Sequence, residues 1–179
     1  MRTFLAVEVP ENTRKVIYNF IRTEAKKELP VKWVQLDNMH ITLKFLGEID
    51  DKKRAEIRPV ITEVCRQHPP FTIEMGNFGC FPNARNPRVI WFGTKHGGEE
   101  LSAIAVELEK ELARFGFEEE KRFHPHLTVG RVKKSCNVED ILAKPLSTEP
   151  FNVSSLVLFK SVLRPEGPIY TALEEFSLS

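Results

Sequence analysis

No apolar stretch in the sequence approaches the ~20 residues that a helix needs to cross a membrane. The run at the N-terminus, Phe4-Leu5-Ala6-Val7, soon meets Glu8, Pro10 and Glu11 and is too short for a secretory signal. Cysteine is scarce: Cys65, Cys80 and Cys136 are odd in number, widely spaced and without a Cys-x-x-Cys step, which argues against a disulfide framework and against a zinc or redox pair. Free thiols suit a reducing compartment, so a soluble, cytoplasmic protein with no membrane partner is expected. Charge of one sign is also lacking. With 26 Lys and Arg against 25 Asp and Glu, the net charge of +1 gives no global field for non-specific duplex binding, and any nucleic-acid contact must be local. There is no Gly-x-x-x-x-Gly-Lys-Ser/Thr loop and no Gly-x-Gly-x-x-Gly after a strand, so nucleotide energy coupling has no motif behind it. Low-complexity segments are absent too.

What is present is an ordinary globular composition, 41% apolar and 28% charged over 179 residues. Such a chain fits a single domain and can bury roughly 70% of its unfolded surface. Its most informative feature is a tetrad that occurs twice, His40-Ile41-Thr42-Leu43 and His126-Leu127-Thr128-Val129, each inside an alternating apolar run. On a strand, His and Thr two residues apart share one face, and the apolar residues between them share the other. Each tetrad therefore reads as half amphipathic strand and half site.

The 86-residue offset between the tetrads also carries Arg2-Thr3-Phe4-Leu5-Ala6-Val7 onto Arg88-Val89-Ile90-Trp91-Phe92-Gly93, which predicts a duplication. After each of these strands comes a helix-like stretch, Glu11 to about Lys27 and Glu99 to about Phe115. Ala55, Ile57, Ile61, Val64 and Cys65 then predict a helix from Asp50 to before Pro69-Pro70, with Pro59 kinking it or marking its first turn. Phe71 to Met75 reads as a strand, Gly76 to Pro87 as a loop, Val138 to Ala143 as a short helix, and Phe151 to Val162 and Ile169 to Phe176 as strands joined by Arg164-Pro165-Glu166-Gly167. The expected fold is α+β with mainly antiparallel sheets: one domain, 1–179, of two pseudo-symmetric lobes near 1–86 and 87–179, with helices outside and a central cleft on a pseudo-two-fold axis.

Two histidines and two threonines across a cleft suit a phosphodiester. One imidazole can activate a nucleophile, the other can protonate the leaving oxygen, and hydroxyls can donate to the non-bridging oxygens. An unperturbed imidazole pKa near ~6.5 would let one ring be neutral and the other protonated around neutral pH. A lone His-x-Thr is more often structural, but two copies at a repeat offset favour catalysis. The competing reading is a zinc site of His124, His126 and His40. It explains one half only, because Asn38 and Met39 stand where the first half would need a matching His, and no carboxylate pair lies near either tetrad. No metal and no cofactor is therefore expected, and His124 reads as a rim residue. His68 and His96 read as loop histidines. Lys44 shares parity with His40 and Thr42 and reads as solvated; Arg131 falls on the face opposite His126 unless a bulge at Gly130 turns it back.

Three blocks carry a resemblance: Arg2-Thr3-Phe4-Leu5-Ala6-Val7-Glu8-Val9-Pro10, Asn38-Met39-His40-Ile41-Thr42-Leu43-Lys44-Phe45-Leu46-Gly47-Glu48, and Phe123-His124-Pro125-His126-Leu127-Thr128-Val129-Gly130-Arg131. In order and spacing they resemble the two-histidine phosphoesterase superfamily, and within it the bacterial and archaeal RNA 2',3'-cyclic phosphodiesterases, also called 2'-5' RNA ligases. The resemblance implies hydrolysis of an RNA 2',3'-cyclic phosphate to a 2'-phosphate end, with His40 as proton donor, His126 as proton acceptor, Thr42 and Thr128 on the phosphate and Arg131 on the substrate. RNA carrying a cyclic phosphate, including tRNA fragments, is the implied partner, and a monomer is expected. The residues leave open the joining of a cyclic-phosphate end to a 5'-hydroxyl end by the same groups, and a non-catalytic RNA-end binder.

Overall fold

Residues 1–179 are described by a computed structural model. Alternating apolar residues form β1 (Arg2–Glu8), which leads through Pro10 into α1 (Glu11–Ala25). A short strand, β2 (Val31–Trp33), and one 3₁₀ turn (Leu36–Asn38) precede β3 (His40–Glu48). The Asp50 side chain caps α2 (Asp51–Arg66) by accepting the Lys53 N–H at 2.7 Å. Then follow β4 (Phe71–Phe81), β5 (Val89–His96), α3 (Gly98–Ala113), β6 (His126–Val132), α4 (Glu139–Leu142), β7 (Phe151–Val153), β8 (Ser155–Arg164) and β9 (Gly167–Ser177). No helix is long and apolar enough to cross a membrane.

Two antiparallel sheets result, ordered β3-β1-β8-β9 and β2-β6-β5-β4-β7. The strand trios β3-β1-β8 and β6-β5-β4 correspond, as a duplicated unit requires. Sheets and sequence halves do not coincide, however. β4 of the first half pairs with β5, and β8 and β9 of the second half pair beside β1, so each half lends strand to the other's sheet. Helices α1, α2 and α3 bury Ile17 and Ile21, Ile57 and Ile61, and Leu101, Ile104 and Leu108 in one apolar core that runs continuously through both sheets.

Four local expectations are corrected. Gly76 to Phe81 continues β4 instead of looping, because it pairs with β5 from Gly93 to Val89 and bare Gly79 admits the Trp91 ring, which a Cβ there would meet at 2.2 Å. The single strand expected from Phe151 to Val162 is broken at Ser154 into β7 and β8, which belong to different sheets. Pro59 lies inside α2 and not in its first turn. Lys44 is buried, not solvated, and its Nζ donates to Glu109 Oε2 of α3 at 2.7 Å and to the Glu118 carbonyl at 2.6 Å.

That ion pair is the main polar contact inside the core. Glu109 Oε2 also accepts the Glu120 N–H at 2.9 Å, so the pair fastens β3, α3 and the segment after α3 together. A buried charge that loses its partner costs about 3–5 kcal/mol, whereas replacing both members by apolar groups is often neutral. Lys44→Met should therefore lower the denaturant midpoint markedly, and Lys44→Met with Glu109→Leu should recover much of the loss. A single variant as stable as wild type would show that the pair does not constrain the fold.

Candidate active site

β3 and β6 come into contact although they belong to different sheets. Between the helix-free faces lies a cavity of about 410 Å³ whose walls include His40, Thr42, His126, Thr128 and Arg131. All five residues singled out in the sequence thus meet in one cleft, and the cause is local. In β3, Leu5 pairs with Lys44 and Ala6 with Thr42, leaving Leu43 without a partner; in β6, Ile90 pairs with Gly130 and Trp91 with Thr128, leaving Val129 without one. Each strand therefore carries a one-residue bulge immediately after its threonine. A bulge reverses the alternation of faces. Burial runs identically along the two strands: half-buried His, buried, half-buried Thr, two buried residues, then an exposed one. The exposed residue is Phe45 in β3 and Arg131 in β6, so Arg131 faces the cleft by the bulge, while Lys44 is turned to the core.

The imidazoles are held alike. His126 Nδ1 donates to the His124 carbonyl at 2.6 Å, and His40 is hydrogen-bonded to the Asn38 backbone, in each case two residues back along the chain. This fixes the His126 tautomer and leaves Nε2 as the free nitrogen. Neither threonine hydroxyl has a hydrogen-bond partner within the protein, which leaves both available to a ligand.

Aromatic rings pack round each histidine. His40 stacks on Phe4 at 4.8 Å and meets the edge of Tyr170 at 5.1 Å; His126 lies 5.2 Å from Phe81, edge-on, and 6.3 Å from Trp91. Burial disfavours the imidazolium. It is the main cause holding His40 down to about 4, with the Asn38 hydrogen bond opposing and the Arg131 charge assisting. His126 is lowered by burial too, opposed by the His124 carbonyl and assisted by the charges of His124 and Arg131. The protein by itself therefore favours two neutral rings at neutral pH, not the one neutral and one protonated ring expected from unperturbed histidines.

His124 packs against Trp91 at 4.5 Å and borders the cleft, but no three His, Cys, Asp or Glu side chains gather closely enough to hold a metal ion. His68 contacts Glu107 and His96 lies 3.6 Å from Glu74, both outside this cavity. Several wall residues escaped the sequence reading: Phe4, Lys32, Trp33, Phe45 and Tyr170. Phe4 and Tyr170 read as ordinary strand apolars. Phe45 carried a usable signal, since it stands 86 residues before Arg131.

Comparison with known proteins bears on this cleft. A model of the 2'-5' RNA ligase superfamily matches residues 18–163. A protein of Archaeoglobus fulgidus named RNA 2',3'-cyclic phosphodiesterase is 42% identical over 98% of this chain and 99% of its own length, and one of Thermotoga maritima with the same name is 36% identical over 98% and 94%. Among solved structures, a Thermus thermophilus protein superposes with a TM-score of 0.85 at 30% identity over 99% of this chain and 98% of its own. The E. coli LigT complex with 3'-AMP superposes with a TM-score of 0.84 at 27% identity over the same shares.

The electrostatics make a direct prediction. In ring NMR titrations of the free protein, His40 should protonate near pH 4, and Arg131→Met should move both His40 and His126 upward. An imidazole held neutral by burial binds fewer protons folded than unfolded. Its contribution to stability is therefore complete above the unperturbed 6.5, declines as pH falls, and is lost below about 4. Stability measured from pH 7 to 4 should fall less steeply in His40→Gln. A His40 ring that titrates at 6.5 in the free protein would contradict the aromatic enclosure as its governing influence.

Proposed function

The chain belongs to the 2'-5' RNA ligase superfamily, and on that premise we propose that its cleft hydrolyses RNA 2',3'-cyclic phosphate ends to 2'-phosphate ends. The observation that carries this reading is the matched pair of bulged strands, which delivers a His-Thr pair from each sheet to one cavity together with Arg131. Relatives over nearly the whole chain are named RNA 2',3'-cyclic phosphodiesterase, which favours hydrolysis over ligation.

In the proposed reaction His126 takes a proton from water as its oxygen attacks phosphorus, and His40 gives a proton to the departing 3'-oxygen. The P–O bond to water forms, the P–O3' bond breaks, and the phosphate stays on the 2'-oxygen. Thr42 and Thr128 donate hydrogen bonds to the non-bridging oxygens, with Arg131 beside them as a fixed positive charge. The substrate itself supplies the countercharge: an anion between the rings favours the imidazolium, so His40 gains its proton as the phosphate binds. Phe45, 60% exposed on the cleft face, offers its ring to a nucleobase, where stacking tolerates any base. No step needs a metal ion, and dialysis against a strong chelator should leave the rate unchanged.

His40→Ala and His126→Ala should each lower turnover roughly 10²–10⁴-fold on an RNA ending in a 2',3'-cyclic phosphate. Product mapping separates the alternatives. A 2'-phosphate supports the reading, a 3'-phosphate would exchange the histidine roles, a 2'-5' joined product would assign ligation, and unchanged RNA would leave a binding protein. The pH dependence is specific as well. Because both free rings lie below 6.5, the kcat/KM optimum should fall below that value, while the alkaline limb of kcat should sit higher because bound phosphate holds the acid protonated. The apparent values belong to the coupled pair.

A further inference from the structure

β2 is three residues long and lies at the edge of its sheet, yet it sets Lys32 directly opposite Arg131. Opposed residues share a face, and the bulge in β6 turns that face toward the cleft, whose walls include both side chains. Like charges placed opposite each other repel. Neither Lys32 nor Arg131 has an ion pair or a side-chain hydrogen bond to offset the repulsion, unlike Lys44 of the neighbouring β3, which is paired with Glu109; Arg122 borders the same cavity unpaired as well, but no strand pairing sets it opposite Arg131. Glu120 and Glu166 border the same cavity and reach neither.

The two cations are not equivalent. Arg131 acts electrostatically on His40, His126 and Tyr170, whereas Lys32 is not among the charges acting on any of them. Arg131 therefore stands at the reacting centre, and Lys32 stands one strand further out, about 4.8 Å away in the plane of the sheet. A phosphate beside the histidines accounts for the first cation and leaves the second without an anion.

We propose that Lys32 forms a second anion subsite beside Arg131, which holds the phosphodiester linking the terminal nucleotide to the rest of the strand, so that the cleft is built for the end of a single-stranded RNA and not for a cyclic mononucleotide. The proposal rests on the reading of the cleft as a cyclic-phosphate site and names the substrate class. Phe45 and Arg131 occupy corresponding positions in the two lobes. One side of the axis thus presents an aromatic ring, and the other a row of two cations, which matches a nucleotide with its base on one side of the ribose and its 5'-phosphate on the other.

The test compares kcat/KM on 2',3'-cyclic AMP with kcat/KM on a short single-stranded RNA ending in a 2',3'-cyclic phosphate. Lys32→Ala should lower the RNA-to-mononucleotide ratio roughly tenfold, the scale of one lost charged hydrogen bond, with Lys32→Glu lowering it further and Lys32→Arg preserving it. The dependence of log KM for RNA on log salt should become shallower by about 0.7 in Lys32→Ala. A ratio unchanged in Lys32→Ala and Lys32→Glu would overturn the proposal. Binding of the 2'-phosphate-ended RNA and of 2'-AMP, followed by fluorescence competition, tests the subsite independently of turnover. If neither cyclic phosphate is hydrolysed, the functional reading fails, while selective weakening of RNA binding in Lys32→Ala would still support the second subsite and unchanged binding would overturn it. Lys32 is exposed, so these variants should fold.

Discussion

One extra residue in each of two strands organises the cleft. Without the bulge at Leu43, Lys44 would follow Thr42 onto the cleft face and Phe45 would point to the core; without the bulge at Val129, Arg131 would face away from His126. Both bulges sit where a strand must serve two ends at once: Ile41 and Leu127 fill the core on one side while the histidines and threonines line the cleft on the other. Reversing parity midway lets the same face continue with a different chemistry. Gly130 fits this arrangement because a Cβ there would come within 2.7 Å of Val31 and 2.9 Å of Trp33, so its bareness lets β2 approach and bring Lys32 to the rim.

The cleft is an apolar wall around groups that must handle charge. Phe4, Tyr170, Phe81 and Trp91 favour neutral imidazoles, and Arg131 adds to the same effect. An anion there would reverse the balance, because it would offset Arg131 and stabilise an imidazolium that burial disfavours. On the proposed reading, ligand binding and protonation are therefore coupled, because burial favours the neutral rings and a bound phosphate would favour the protonated one.

Strand exchange ties together the two sheets that flank this cleft. β4 in one sheet and β8 in the other come from opposite halves, so the lobes cannot separate without breaking strand pairing, and one continuous core backs both sheets. The Lys44 and Glu109 pair adds a polar fastening beneath β3 and reaches the segment that leads to His124 and His126. Positions set by a shared core and by hydrogen-bonded strands vary less than positions set by loops, which suits the proposed placing of two imidazoles about one phosphorus atom.

Periodicity alone determined most of the elements: β1, α1, β3, α2, α3, β6 and β9 lie close to where apolar spacing places them, because alternation and three-to-four-residue steps record which face is buried. The repeated His-x-Thr recorded the candidate site in the same way. The sequence could not determine events that depend on a partner strand. Gly76 and Gly79 have the composition of a turn yet lie in a strand, because they pair with Gly93 and Trp91 of β5, and only the Trp91 ring shows why Gly79 is bare. Ser154-Ser155 interrupts the alternation between Phe151 and Val162, but nothing local says that the two parts serve different sheets, and β2 is too short for a period to register. The burial of Lys44 was likewise invisible, since parity counted along the chain misses a bulge that exists only in register with β1. Local pattern fixed which residues seek the core and which carry the chemistry; tertiary pairing alone decided which of them face one another, because a side chain's direction on a bulged strand is set by the neighbour it pairs with.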